Sequence, residues 1–229
     1  MKSLIIVESH NDKFFIEKLR DVWGLENIEF KEPICARTDY ECLGGLSEKK
    51  LSQTLDDIKF SDYQKIGIII DADNEGIEKQ IALINRCART LKDVSDDFEI
   101  TKINEFIRVK SSEEEINYFD VEIGCYIMNK DGVGELETVL KAIKSKDSTY
   151  ANCLEAWRKC LEEKGKPFKA KSYDKLWVNF YQRYDNCKEN ESNADENCKG
   201  EIAIKKDIWD FTNPILDDLK SFLTLLSNQ

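Results

Sequence analysis

The chain has 229 residues, 41% of them hydrophobic, and a net charge of −11. That suffices for one substantial core, and no apolar run approaches the length of a membrane span. The acidic balance argues against passive binding of a polyanion over the whole surface, but not against an enzyme that gathers its acids around metal ions.

The N-terminus enters a strand directly, without the basic, apolar and small-residue segments of a signal peptide, so a cytoplasmic protein is expected. In that compartment the eight cysteines should be mostly reduced. They form no CxxC pair, and His10 is the only histidine, which disfavours a zinc site.

In chain order, LIIV (4–7) and KIGIIID (65–71) are short continuous apolar runs rich in branched residues. Each is followed by a polar segment with helical periodicity, FFIEKLRDVW after the first and IEKQIALINRCARTL after the second. This alternation predicts βαβ units around a parallel sheet buried on both faces. EPICAR (32–37) reads as a second strand, followed by a turn at Gly44 and Gly45 and the helix LSEKKLSQTLDDI. VEIGCYIM (121–128) reads as a further strand and GELETVLKAI as the start of a helix. Beyond about residue 146 the pattern is helical only, with the acidic stretch DNCKENESNADENCKG read as a mobile surface loop. The expected architecture is an α/β core over 1–146 with a helical C-terminal extension, 147–229, packed on it.

In a parallel α/β sheet, ligands sit at the carboxyl ends of the strands. Three predicted strands end there in acids: LIIV in Glu8, with Asp12 close behind; IGIII in Asp71-Ala72-Asp73; and GCYIM in a turn leading to Glu135 and Glu137. Residues i and i+2 point the same way on a strand, so Asp71 and Asp73 face one site if the extended backbone persists. Carboxylates held close repel one another unless cations sit between them, and Mg²⁺ or Mn²⁺ takes oxygen ligands of this kind. Taken singly, each acid is equally a helix cap or a favourable charge in a first helical turn. Their coincidence at three strand ends favours a metal site.

The motifs VESHND, IGIIIDAD, IMNKDGVGELETVL and KKDIWDF resemble those of the Toprim domain, found in topoisomerases, bacterial primases, small repair proteins and the overcoming-lysogenization-defect nucleases. They are most similar to small Toprim-like proteins related to that nuclease branch. The resemblance implies a Toprim-like parallel sheet flanked by helices, with Glu8, Asp71 and Asp73 as the central Mg²⁺-site and catalytic acids. It implies Asp12 and Glu137 as further ligands, and makes Glu135, at a variable position, the weaker candidate. Ser9 stands where Gly is usual and Asn129 where Pro is usual, which leaves the turn after Glu8 open.

The segment from Lys164 to Tyr184 is the one dense basic patch, and Lys171, Lys175 and Arg183 are its candidate substrate-binding residues on a solvated helix face. His10 is a candidate to orient a phosphate. Trp157, Trp177, Phe180 and Tyr181 read as core residues at helical spacings. The expected function is a Mg²⁺-dependent (or Mn²⁺-dependent) nuclease acting on DNA or RNA, with roles in phage defence or DNA repair implied only by the resemblance. The alternative is a non-catalytic Toprim-like module that binds metal or nucleic acid and acts through a partner protein such as an ATPase.

Overall fold

The computed structural model describes residues 2–35, 46–92, 94–111, 119–187 and 198–227. Five strands form one sheet in the order β2-β1-β3-β5-β4. They are β1 (Lys2–Val7), β2 (Ile28–Phe30), β3 (Tyr63–Asp71), β4 (Phe106–Lys110) and β5 (Asp120–Met128). β1, β2, β3 and β5 run parallel, and β4 is antiparallel on the edge beside β5. The α/β class and the C-terminal helical region are as expected.

The second strand lies earlier in the chain than EPICAR. Lys31, Ile34 and Cys35 do donate backbone N–H groups to Ile5, Val7 and Glu8, but Pro33 brings no N–H, so the regular ladder ends at Phe30. The predicted turn at Gly44 and Gly45 lies outside the described residues, as does 188–197, the centre of the acidic stretch. Its flanks are tied by a disulfide between Cys187 and Cys198, and Cys35 is also disulfide-bonded, which corrects the expectation for these thiols. Cys87, Cys125, Cys153 and Cys160 are free.

The period-two alternation of the strands builds two cores. Ile6, Ile66, Ile68, Ile70, Ile123 and Ile127 face α2 (Glu48–Asp56) and α3 (Ile77–Arg89). Ile5, Val7, Ile69, Tyr126 and Met128 face the other way, into a layer that begins with α1 (His10–Trp23) and α4 (Leu136–Ala142). The C-terminal helices complete that layer: α5 (Thr149–Glu163), α6 (Ala170–Phe180), α7 (Gly200–Lys205) and α8 (Asp217–Ser227). Trp177, Tyr181, Trp209 and Phe222 are buried in it, so the C-terminal region supplies much of the covering on that side of the sheet.

The approach of α8 depends on Gly67 of β3, while its register partner Gly124 on β5 makes room for the Phe106 ring, 2.6 Å from where a Cβ would lie. A Cβ on Gly67 would lie 2.6 Å from Leu226 Cδ1, inside van der Waals contact. Trp157 departs from its expected core place: it is 41% exposed on α5, edge-on to Phe168. Among the described residues no helix is long and apolar enough to cross a membrane.

Candidate functional site

The carboxyl ends of β1, β3 and β5 converge on six acids. Glu8 follows β1 and is buried. Ser9 then caps α1, which answers the question left by its replacing glycine: its extended backbone (φ −130°) needs none. Asp12 completes the cap. Its Oδ2 accepts from the Ser9 N–H at 2.8 Å and from the Ser9 hydroxyl at 2.7 Å. One Asp12 oxygen is thereby committed to holding the turn.

Asp71 ends β3, and its Oδ1 accepts the Leu136 N–H from the first turn of α4 at 3.2 Å. The extended backbone does not persist through Asp73. Its φ is 51°, and its N–H and C=O both bond to Gly134 at 2.8 Å. Those paired bonds hold it in the left-handed region, which aspartate tolerates better than most residues. Gly134 itself has φ 102°, and a Cβ there would lie 2.9 Å from Thr138 Oγ1. Only glycine suits both demands. This turn delivers the next residue, Glu135, into the interior as the N-cap of α4.

Glu135 is the acid that sequence reasoning ranked lowest, and the structure gives it the most constrained place. It is 1% exposed; its Oε2 faces the ammonium groups of Lys171 and Lys175, and its Oε1 has no hydrogen-bond partner. One oxygen from each of Asp71, Asp73 and Glu135 falls within 4.8 Å of the others, the only such group among the described residues. Glu8, Asp12 and Glu137 lie outside this trio but contribute charge to it. An N-cap acid ordinarily reads as surface-exposed; the signal available in advance was the glycine-bounded turn GVG immediately before it.

The basic residues meet expectation in part: Lys175 and Arg183 are exposed, and Lys171 is half-buried. Asp174 on α6 bonds to Thr138 Oγ1 and Lys141 Nζ of α4, both at 2.9 Å, which sets how the two helices meet. Lys171 and Lys175, to either side of Asp174 in the chain, thereby reach the acids; Lys171 is partly buried there, while Lys175 keeps its side chain 51% exposed, as a solvated face requires. Lys171 Nζ lies 2.5 Å from Asp73 Oδ1 and 3.1 Å from Glu135 Oε2. Lys175 Nζ lies 3.4 Å from Glu135 Oε2 and 3.8 Å from Glu137 Oε1. Arg183 sits beyond α6, in a π-helical turn, beside the Tyr184 ring. His10 faces Glu32, with Nε2 3.7 Å from Oε1, and stacks on Phe14.

Two lysines cannot neutralise six carboxylates. Burial pushes Glu8 up to about 7, with Asp12 and Asp73 adding to the shift. Burial likewise pushes Glu135 up to about 7, with Glu137 adding and the lysines opposing. Asp12 rises to about 6, again chiefly through burial and despite the Ser9 hydrogen bonds. Asp71 is held well above the usual carboxylate range by burial and by the charges of Asp12 and Glu8. For Lys171, burial works against the charge, but Asp73 and Glu135 outweigh it and raise the ammonium above its ordinary value. Such a site stays negative unless it takes up protons or a cation. A buried carboxylate with one oxygen unpartnered beside two more, all hard oxygen donors, could hold a small divalent ion.

Residues 2–228 match the family described as "Protein of unknown function (DUF3226)", and the chain belongs to that family. No curated protein matches. Among solved structures, the hypothetical protein PH0156 from Pyrococcus horikoshii OT3 is similar at 17% identity, covering 99% of this chain and 98% of that one, with a TM-score of 0.49.

Proposed function

We propose that this DUF3226 member is a Toprim-like, Mg²⁺- or Mn²⁺-dependent phosphoryl-transfer enzyme, a nuclease that hydrolyses phosphodiester bonds in DNA or RNA. The observation that carries the reading is the buried Glu135 carboxylate, its Oε1 without a hydrogen-bond partner, sharing a site with Asp71 and Asp73 at the strand ends. Those three residues would hold the ion. When bound, it would supply Lewis-acid stabilisation of charge on a phosphoryl group. The chain's own contribution is rigidity: Asp71 is fixed by β3 and the Leu136 N–H, and Asp73 by its paired bonds to Gly134. Glu8, raised to about 7, stands where a carboxyl exchanges protons near neutral pH, suited to a general acid or base. Asp12 and Glu137 supply further negative charge, and Asp12 keeps the turn after Glu8 in place.

The second reading, a non-catalytic module that acts through a partner protein, is favoured by Lys171 already lying on Asp73 and Glu135. A cleavage assay on mixed single- and double-stranded DNA and RNA, with Mg²⁺ or Mn²⁺ against chelator, separates the two. Metal-dependent cleavage that disappears in Asp73→Ala supports the enzyme. Cleavage unaffected by Asp73→Ala, or none with any substrate while the ion still binds, sinks it.

A further inference from the structure

Lys171 and a divalent ion require the same oxygens. Its Nζ is 2.5 Å from Asp73 Oδ1 and 3.1 Å from Glu135 Oε2, and both residues belong to the only trio of donors within 4.8 Å among the described residues. An ion bound to those oxygens at about 2.1 Å would leave an ammonium in the present position well inside the range of strong like-charge repulsion. The arrangement that permits exchange is also present. Lys171 lies in the first turn of α6, and its side chain is 30% exposed. The ammonium therefore ends a long flexible stem beside solvent. Asp174 anchors the helix to α4 independently of Lys171, through Thr138 and Lys141.

On the basis of the metal-site reading above, we infer that Lys171 is a built-in counter-cation. It occupies the ligand oxygens of the metal-free protein and is exchanged outward when a divalent ion binds. Lys175, with its longer contacts to Glu135 and Glu137, follows more weakly. The exchange has a consequence for polyanions. Ion binding frees one ammonium at the rim of the site, and a polyanion that engages that ammonium favours the released state. Metal and polyanion therefore strengthen each other's binding, by the same factor in each direction.

The test uses the full chain and Mn²⁺ as the probe, with affinity measured by calorimetry for wild type and Lys171→Met. Removing the competitor should tighten Mn²⁺ binding by roughly five- to tenfold. The wild-type protein provides a second readout that needs no variant to fold: acetylation of Lys171, followed by mass spectrometry, should become several-fold faster when Mn²⁺ is added. Wild-type Mn²⁺ binding that Lys171→Met does not tighten, or labelling of Lys171 unchanged by Mn²⁺, overturns the exchange while leaving the metal site standing. Absence of Mn²⁺ binding in both proteins overturns the metal site and the exchange with it.

Discussion

The two ends of the sheet carry the same residue types to opposite effect. At the amino ends of the parallel strands, acids and bases meet in pairs open to solvent on at least one side: Lys2 with Glu29, Lys65 with Glu122, and Asp120 with Arg108 and Lys110 of β4. There the hydrogen bond from Arg108 holds Asp120 at about 2. At the carboxyl ends the acids are buried and outnumber the bases, and Glu8 and Glu135 rise to about 7. Paired surface charge is nearly neutral in its effect on folding, whereas surplus buried charge destabilises the empty fold and stabilises whatever cation enters it.

The sharpest way to break this comparison is to remove acids from the buried end. Glu8→Ala and Asp73→Ala are each expected to lower metal-dependent hydrolysis by about 10²–10⁴-fold. Relief of repulsion should leave the metal-free stability of Glu8→Ala unchanged or higher. Asp73→Ala loses the Lys171 ion pair and places alanine at φ 51°, so its metal-free stability should fall modestly while the fold persists. Steady-state cleavage alongside thermal melting checks both halves, and activity lost only through unfolding would count against the assigned roles.

The next effect is stabilisation by metal. At a concentration 100 times its dissociation constant an ion adds about 2.7 kcal/mol, which for a chain of this size raises Tm by roughly 5–10 °C. Glu135→Gln and Asp71→Asn should abolish most of that rise, as read by scanning calorimetry with and without Mg²⁺. A rise of equal size in both variants would move the ion elsewhere.

These predictions rest on features that were unequally visible in the sequence. The strand ends were readable because LIIV and IGIII are continuous branched runs, and a buried parallel strand leaves few other interpretations. β4 was missed because FIRVK lies on an edge, with Arg108 and Lys110 exposed and only Val109 buried. Glu135 was underrated because its burial comes from the fold of the Gly132–Gly134 turn against Asp73, a contact between distant parts of the chain of which the local sequence shows only the two glycines. Lys171 and Lys175 read as solvated because lysines usually are, and Lys175 is; that both also reach the acids is set by Asp174 meeting Thr138 and Lys141 on another helix. Trp157 shows the converse, since helical spacing placed it in the core and α5 turned it outward.

A third prediction concerns pH. Glu8, Asp12 and Glu135 bind protons more tightly in the folded chain than their ordinary values of 4.5, 3.8 and 4.5 would allow. Folded protein therefore holds more protons between about pH 4 and 7. Their contribution to stability is fully present below that window and is lost as pH rises through about 6 to 7. Metal-free Tm should accordingly fall across the window, and saturating Mg²⁺ should flatten or reverse the slope. Asp120 works with the opposite sign. Its contribution is present above its ordinary value of 3.8 and is lost as pH falls through about 2. The smallest effect belongs to that exposed end, where Asp120→Asn should barely move Tm at neutral pH and should leave the metal response intact.

An ion between Asp71, Asp73 and Glu135 would be seen most directly by anomalous diffraction from crystals grown with Mn²⁺. A peak is expected within about 2.0–2.4 Å of oxygens from those three residues, with the Lys171 ammonium withdrawn from Asp73. A fully occupied Mn²⁺ peak elsewhere, or none at saturating Mn²⁺ with Lys171 still on Asp73 and Glu135, would contradict this placement.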